Sequence, residues 1–246
     1  MARDMDYAGL SDRFVKALRL ETAPVTVLFS AKPPDGVQKL AETSMACTML
    51  DLARHEGRTF YTDASNHTCK NGAFYLGIEE PFDGLLSGEA NAGIGGSSLV
   101  CNPAAFQRLL EGYEIVPQGR VIYLSYAPLA ETPFPEKLGG MVAVFFVTPR
   151  QSLFLERGIN YRTGAPVESL TGPATCSSIM AAPFMTGKPF TTHNCFGFNL
   201  FTKVKAGEMM VGIPMHMLPE VIANLEEFQG ERPDLAAMLD REEETA

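Results

Sequence analysis

The sequence predicts an α/β (or α+β) fold built from two pseudo-twofold-related halves packed as one globular unit. Three observations predict it. β-branched and aromatic runs alternate with segments of helical spacing. An apolar strand flanked by proline occurs in each half, and the order cysteine, helix, strand, His-x-Cys occurs twice. The halves are placed at 1–118, with Cys47 and Cys69, and at 119–246, with Cys176, Cys195 and an acidic tail near 240–246.

Leu10, Phe14, Val15, Leu18 and Leu20 recur at roughly helical spacing ahead of Ala23-Pro24, so an amphipathic helix is expected to end near Leu20. Residues 25–30, VTVLFS, form a strand closed by the turn residues of KPPDG. A second helix is expected from Thr43 or Ser44, whose hydroxyl would cap it, to Gly57, with Cys47 in its first turn. Residues 58–62 read as a strand leading into a loop with His67 and Cys69. The glycine-rich stretch 84–96 reads as a flexible connection. The loop 93–98 lacks both the Walker lysine and the Rossmann spacing, so it is not read as a phosphate site. Asn102 caps a helix that Pro103 opens, running to Gly112, and strands are expected at 120–126 and 141–147, the latter stopped by Pro149.

The order then repeats. Cys176 opens a short helical run through Ile179, Met180 and Ala181, and Gly187-Lys188-Pro189-Phe190-Thr191-Thr192 parallels Gly57-Arg58-Thr59-Phe60-Tyr61-Thr62. His193 and Cys195 follow as His67 and Cys69 do. Cys47 and Cys69 have 21 residues between them, and Cys176 and Cys195 have 18. A strand at 209–214 and a helix at 218–228 complete the chain, and Met209, Met210, Met215 and Met217 are assigned to the core.

With 20 Lys and Arg against 29 Asp and Glu, the net charge of -9 argues against nucleic acid or an anionic membrane surface as partner. No secretory leader and no apolar run long enough to span a bilayer are present, so a cytoplasmic protein is expected. In that reducing compartment five cysteines read as thiols, redox groups or metal ligands.

A thiol in the first turn of a helix faces free N–H groups, so Cys47 and Cys176 are expected to ionise more readily than a free cysteine. Cys69 and Cys195 are expected in loops whose N–H groups donate to sulfur. If the halves pack about a twofold axis, Cys47, Cys69, Cys176 and Cys195 converge as four thiolates. Such a set suits a [4Fe-4S] cluster or a zinc ion. The wide spacings and the lack of any C-x-x-C pair favour the cluster. His67 and His193 are placed beside it, hydrogen bonding to ligands. Cys101 has no counterpart and reads as a buried small residue. The leading expectation is an iron-sulfur protein in redox work, electron transfer or support of an anaerobic enzyme system, with a redox partner protein and a homo-oligomer among its associations. The alternatives are a thiol enzyme, with Cys69 or Cys195 attacking and His67 or His193 as base, and a zinc or small-ligand carrier.

The chain resembles the archaeal and anaerobe-rich family called domain of unknown function 169. The resemblance rests on Ala23-Pro24-Val25, Cys47, Ala53, Gly57, Cys69-Lys70-Asn71-Gly72-Ala73, Leu76-Gly77, Tyr161, Gly164, Cys176, Pro183, Gly187, Cys195-Phe196-Gly197 and Ile213-Pro214. It implies cysteines at the positions of Cys69, Cys176 and Cys195, and often at that of Cys47, but no particular activity. Many members have an arginine shortly after the position of Gly197, where this chain has Asn199-Leu200-Phe201.

Overall fold

The computed structural model describes residues 5–93, 99–135 and 139–240. Seven strands form one sheet: β1 (Val25–Ser30), β2 (Phe60–Thr62), β3 (Tyr123–Pro128), β4 (Gly139–Val147), β5 (Glu168–Ser169), β6 (Phe190–His193) and β7 (Met209–Pro214). Their order is β2-β3-β1-β4-β7-β6-β5, with every neighbouring pair antiparallel except β5 and β6. The expected mixed α/β class is therefore present.

The central pair is β1 and β4, with Val27 opposite Val142. Outward from it lie β3 and β2 on one side, β7 and β6 on the other. β3 and β7 each end in proline and pass into a 3-10 turn, at Leu129–Glu131 and Met215–Met217. β3 follows residue 118 in the chain yet sits between β1 and β2, so the sheet runs through both halves.

Both faces of the sheet are covered, and this explains why β1 and β4 read as continuous apolar runs rather than alternating ones. On one face, α1 (Tyr7–Leu18), α5 (Pro149–Asn160) and α8 (Leu218–Glu231) bury Phe14, Leu155 and Leu218 against Leu28, Phe145 and Ile213. On the other, α2 (Ala46–Glu56), the segment 177–186 and α7 (Phe196–Phe201) bury Met49, Ile179 and Phe198 against Val27, Val144 and Met210. A satellite core of Phe74, Tyr75, Phe106 and Tyr113 links α3 (Lys70–Tyr75) to α4 (Pro103–Glu111). The four methionines lie in or against the core, as expected.

Some local expectations are corrected. α2 begins at Ala46 with Met45 at its cap and no side-chain hydrogen bond, because Ser44 is extended and bridges to His67. Pro149 does not end regular structure. It opens α5 inside a capping box in which Thr148 and Gln151 satisfy each other's backbone N–H groups. Cys101 is exposed, its sulfur accepting from Asn102 Nδ2 at 3.2 Å. The core closes on Phe106 instead. Much of the loop 93–98 and nearly all of the acidic tail lie outside the described residues. Among the described residues, no helix is long and apolar enough to cross a membrane.

Candidate functional site: a cavity lined by four cysteines

Cys47 is the second residue of α2, and its position is fixed by what precedes it. Ser44 N donates to Asn66 O at 2.7 Å and Thr68 N to Ser44 O at 2.9 Å, binding the start of α2 to the chain entering Cys69. That chain is itself held, since buried Asn66 donates from Nδ2 to Leu40 O and Glu42 O. Cys69 caps α3, and its sulfur accepts from Gly72 N at 3.4 Å. The expected loop is thus a short helix, but the expected N–H donation to sulfur is present.

In the second half, Ala174 N donates to Tyr113 Oη at 3.4 Å and Ser177 Oγ to Glu114 O at 2.8 Å, anchoring Cys176 on both sides. The next turn, Ser177–Ala181, is π-helical and runs into α6 (Ala182–Thr186), which carries Pro183 in its first turn. A single π turn in a short helix is uncommon and is often kept where side chains must be placed for function. Cys195 stands at the N-cap of α7 as Cys69 does at that of α3, but unlike Cys69 its sulfur accepts no hydrogen bond from the helix N–H groups, so the expected donation is absent there. Gly57 and Gly187 end the helices of the two units in the left-handed conformation, with φ of 65° and 69°.

Cys47, Cys69, Cys176 and Cys195 line one cavity of about 210 Å³. A void of about 150 Å³ already takes a benzene-sized guest, so this one has room for a compact group. Among the described residues its wall contains no Asp, Glu, Lys, Arg or His. Neither His67 nor His193 lines it. His67 is buried with Nε2 3.2 Å from Thr62 Oγ1, and His193 is exposed at the end of β6.

The expected easy ionisation of Cys47 and Cys176 is overturned. Burial, with the neighbouring Cys195 and Cys69 charges adding to it, pushes the Cys47 thiol up to about 12. Burial raises Cys176 well above its ordinary value, and the other three cysteines add to that. The helix-end N–H groups are outweighed because removing a lone thiolate from water costs more than they return. A metal group among the sulfurs would reverse the balance, turning mutual repulsion into shared attraction to positive charge.

Two glycines leave space beside the sulfurs. A Cβ on Gly72 would lie 3.5 Å from Cys69 Sγ and 3.6 Å from Cys176 Sγ, and one on Gly197 would lie 3.7 Å from Cys195 Sγ. Glycine there keeps the space beside the sulfurs open. Gly72 has helical φ, so the backbone does not require it. Among the described residues, no group of three or more His, Cys, Asp or Glu side chains is arranged to hold a metal ion. Sequence reading missed Gly72, Tyr75 and Phe198 as wall residues; the glycine three residues into a helix after Cys69 was the available signal.

The fold and cavity define an α/β protein of one antiparallel-rich sheet whose two halves each supply two cysteines to one pocket. The chain belongs to the DUF169 family, described as uncharacterised ArCR, whose profile matches residues 13–224. It is similar to the uncharacterized protein MJ0308 of Methanocaldococcus jannaschii, 26% identical over 200 residues that cover 80% of this chain and 82% of the relative. No solved structure matches the chain.

Proposed function

We propose that this protein holds a [4Fe-4S]-type cluster on Cys47, Cys69, Cys176 and Cys195 and works in the cytoplasm as a redox or electron-transfer protein, or as an accessory to an anaerobic enzyme system. The observation that carries the reading is that four cysteines, distant in sequence and drawn from both halves, line one uncharged cavity. In such a set each thiolate would take a separate corner of the cluster. With four protein ligands no iron keeps an open position, which favours electron exchange with a partner protein over substrate binding at the metal.

We also infer that the chain is a duplicated unit related by a pseudo-twofold axis between β1 and β4, which would pair β3 with β7 and so place the boundary between the halves after β3 rather than at residue 118. The strand order around that pair and the matched placement of Cys69 and Cys195 at helix caps support it.

The test is purification without oxygen, followed by iron and acid-labile sulfide assay and visible absorption. About four irons and four sulfides per chain are expected. Serine at any of the four cysteines should remove the chromophore, and Cys101→Ser should not. A colourless protein after reconstitution, or zinc without sulfide, would overturn the reading.

A further inference from the structure

Among the described residues six large hydrophobic side chains are exposed, and three of them belong to the six residues of α7: Phe196 at 74%, Leu200 at 73% and Phe201 at 56%. Phe196 and Leu200 are one turn apart and share a face of the helix. Phe196 and Phe201 also line the four-cysteine cavity, so the rings that meet solvent are part of its wall, next to Cys195. With about 150–250 Å² for a large side chain, the three residues leave roughly 400 Å² of apolar surface. Patches of this size on a monomer are often functional. A stable dimer takes about 800 Å² from each copy, whereas redox proteins that meet and part again use smaller contacts.

Charge indicates what kind of protein fits. The chain carries a net charge of -9, yet residues 169–207 contain no Asp or Glu. Lys203, two residues beyond Phe201, is exposed and makes no salt bridge among the described residues. Asp51 beside it is mostly buried, accepting from Lys203 N at 3.1 Å and lying 3.5 Å from His55. Lys70 follows the cavity-lining Cys69; it is exposed, and its partner Glu79 is mostly buried. Lys188 and Lys205 are matched by the exposed Glu168 and Glu21 and add no net charge. The residues beside the cavity thus turn cations outward and tuck their carboxylates in.

We infer that the Phe196, Leu200 and Phe201 face of α7, with Lys203 beside it, is the docking surface for an acidic electron-carrier protein that exchanges one electron with the group held by the four cysteines. The inference rests on the iron-sulfur reading above. In the exchange one electron leaves the carrier's reduced cofactor and arrives on the cluster, and no bond breaks and no proton moves. Opposite charge brings such a pair together quickly, and a small apolar contact lets it separate after the transfer.

The experiment reconstitutes wild type, Leu200→Gln, Lys203→Glu and Leu153→Gln anaerobically and mixes each in a stopped-flow instrument with the hydroquinone form of flavodoxin, a small acidic carrier whose flavin gives up one electron with a change of colour. Leu200 and Lys203 do not line the cavity, so both variants should load iron and sulfide as wild type does and be reduced by dithionite at the wild-type rate. Leu153, 59% exposed on α5 at the opposite face of the sheet, is the control and should leave every rate unchanged. At low salt Leu200→Gln should slow exchange with flavodoxin several-fold and Lys203→Glu about tenfold, and added salt should slow wild type more than Lys203→Glu. Loaded wild type that exchanges no electron with flavodoxin, or Leu200→Gln and Lys203→Glu that exchange as fast as Leu153→Gln, would overturn this inference alone. So would sedimentation showing a wild-type dimer that Leu200→Gln makes monomeric, because a second copy would then cover the face. A wild type that takes up no iron and sulfide would overturn both this inference and the reading it rests on.

Discussion

Cys69 and Cys176 come from opposite halves of the chain, and their sulfurs approach the same side of one α-carbon, that of Gly72. An alanine methyl there makes ordinary contacts, at 3.5 and 3.6 Å, and fills a helical position where glycine is unfavourable by about 0.5–1 kcal/mol. Metal-free Gly72→Ala should therefore melt slightly above wild type while its iron content falls several-fold. Gly72→Val, with two further methyl groups beside the sulfurs, should fold and take up no iron. Thermal melts of the metal-free proteins and iron assay after reconstitution check both halves of the prediction. Wild-type loading of Gly72→Val would show that the cluster does not occupy this space.

Arg54 of α2 and Glu208 form a forked ion pair, with Nη2 to Oε1 at 2.5 Å and Nη1 to Oε2 at 3.1 Å, and their side chains are only 1% and 8% exposed. Arg54 also donates from Nε to Thr22 Oγ1 and lies 4.1 Å over the Phe146 ring. Because the Glu208 carbonyl accepts from Asn194, the pair ties the Cys47 helix to the residue before Cys195. Arg54→Ala should cost about 3–5 kcal/mol in urea unfolding, since it strands a buried carboxylate. Lysine should not restore it, because one ammonium cannot reproduce the fork. Burial alone would raise the Glu208 pKa, but the Arg54 and Lys205 hydrogen bonds outweigh it and hold the carboxyl below its ordinary value of 4.5. The sign follows: the pair's stabilisation is complete above about pH 4.5 and is lost as pH falls through the lower folded value. The difference in stability between wild type and Glu208→Gln, measured from pH 7 to pH 3, should shrink in that window.

His67 gives a second pH dependence, at higher pH. Burial lowers its pKa from 6.5 to about 4, the Asp63 charge opposing this only in part. The unfolded chain therefore takes up a proton that the folded chain refuses. Stability should be full above about pH 6.5 and decline as pH falls toward 4. The His67 ring resonance should stay at its neutral position from pH 8 to pH 5. A titration near pH 6.5 in the folded protein would contradict the placement of this ring beside Thr62.

Residues 25–30 and the Asn102-Pro103 helix start were legible in the sequence because their signals are local: a β-branched run, and a cap with proline behind it. α5 was not, because Pro149 has the same composition whether it stops a strand or opens a helix, and the Thr148–Gln151 capping box decides between them. α3 and α7, of 6 residues each, are too short for periodicity to show. The difficult ionisation of Cys47 and Cys176 was not legible either. It depends on burial by residues such as Phe198, far away in the chain, and that outweighs the helix ends that the sequence does reveal. The buried Tyr126 hydroxyl, which has no hydrogen-bond partner among the described residues, had no signal at all, since that lack is a property of the packed interior.

Gly212 of β7 lies against the backbone of the π turn that follows Cys176. A Cβ at Gly212 would lie 2.1 Å from Ile179 O and 2.8 Å from Ile179 C, both backbone atoms of the π turn that follows Cys176. A backbone pressed against a sheet cannot yield as a side-chain tip can, so Gly212→Ala must lift the turn from β7. Overpacking of this kind costs about 1–3 kcal/mol, and the cost should appear in urea unfolding. Gly230→Ala is the control, because it sits in α8 with nothing within 4 Å and should be neutral or slightly stabilising. As the turn lifts, half-buried Cys176 should become more exposed and react faster with a thiol reagent in the metal-free protein, while Cys101 reacts at its wild-type rate. If Gly212→Ala matched Gly230→Ala in both stability and labelling, the close seating of the π turn on β7 would be refuted.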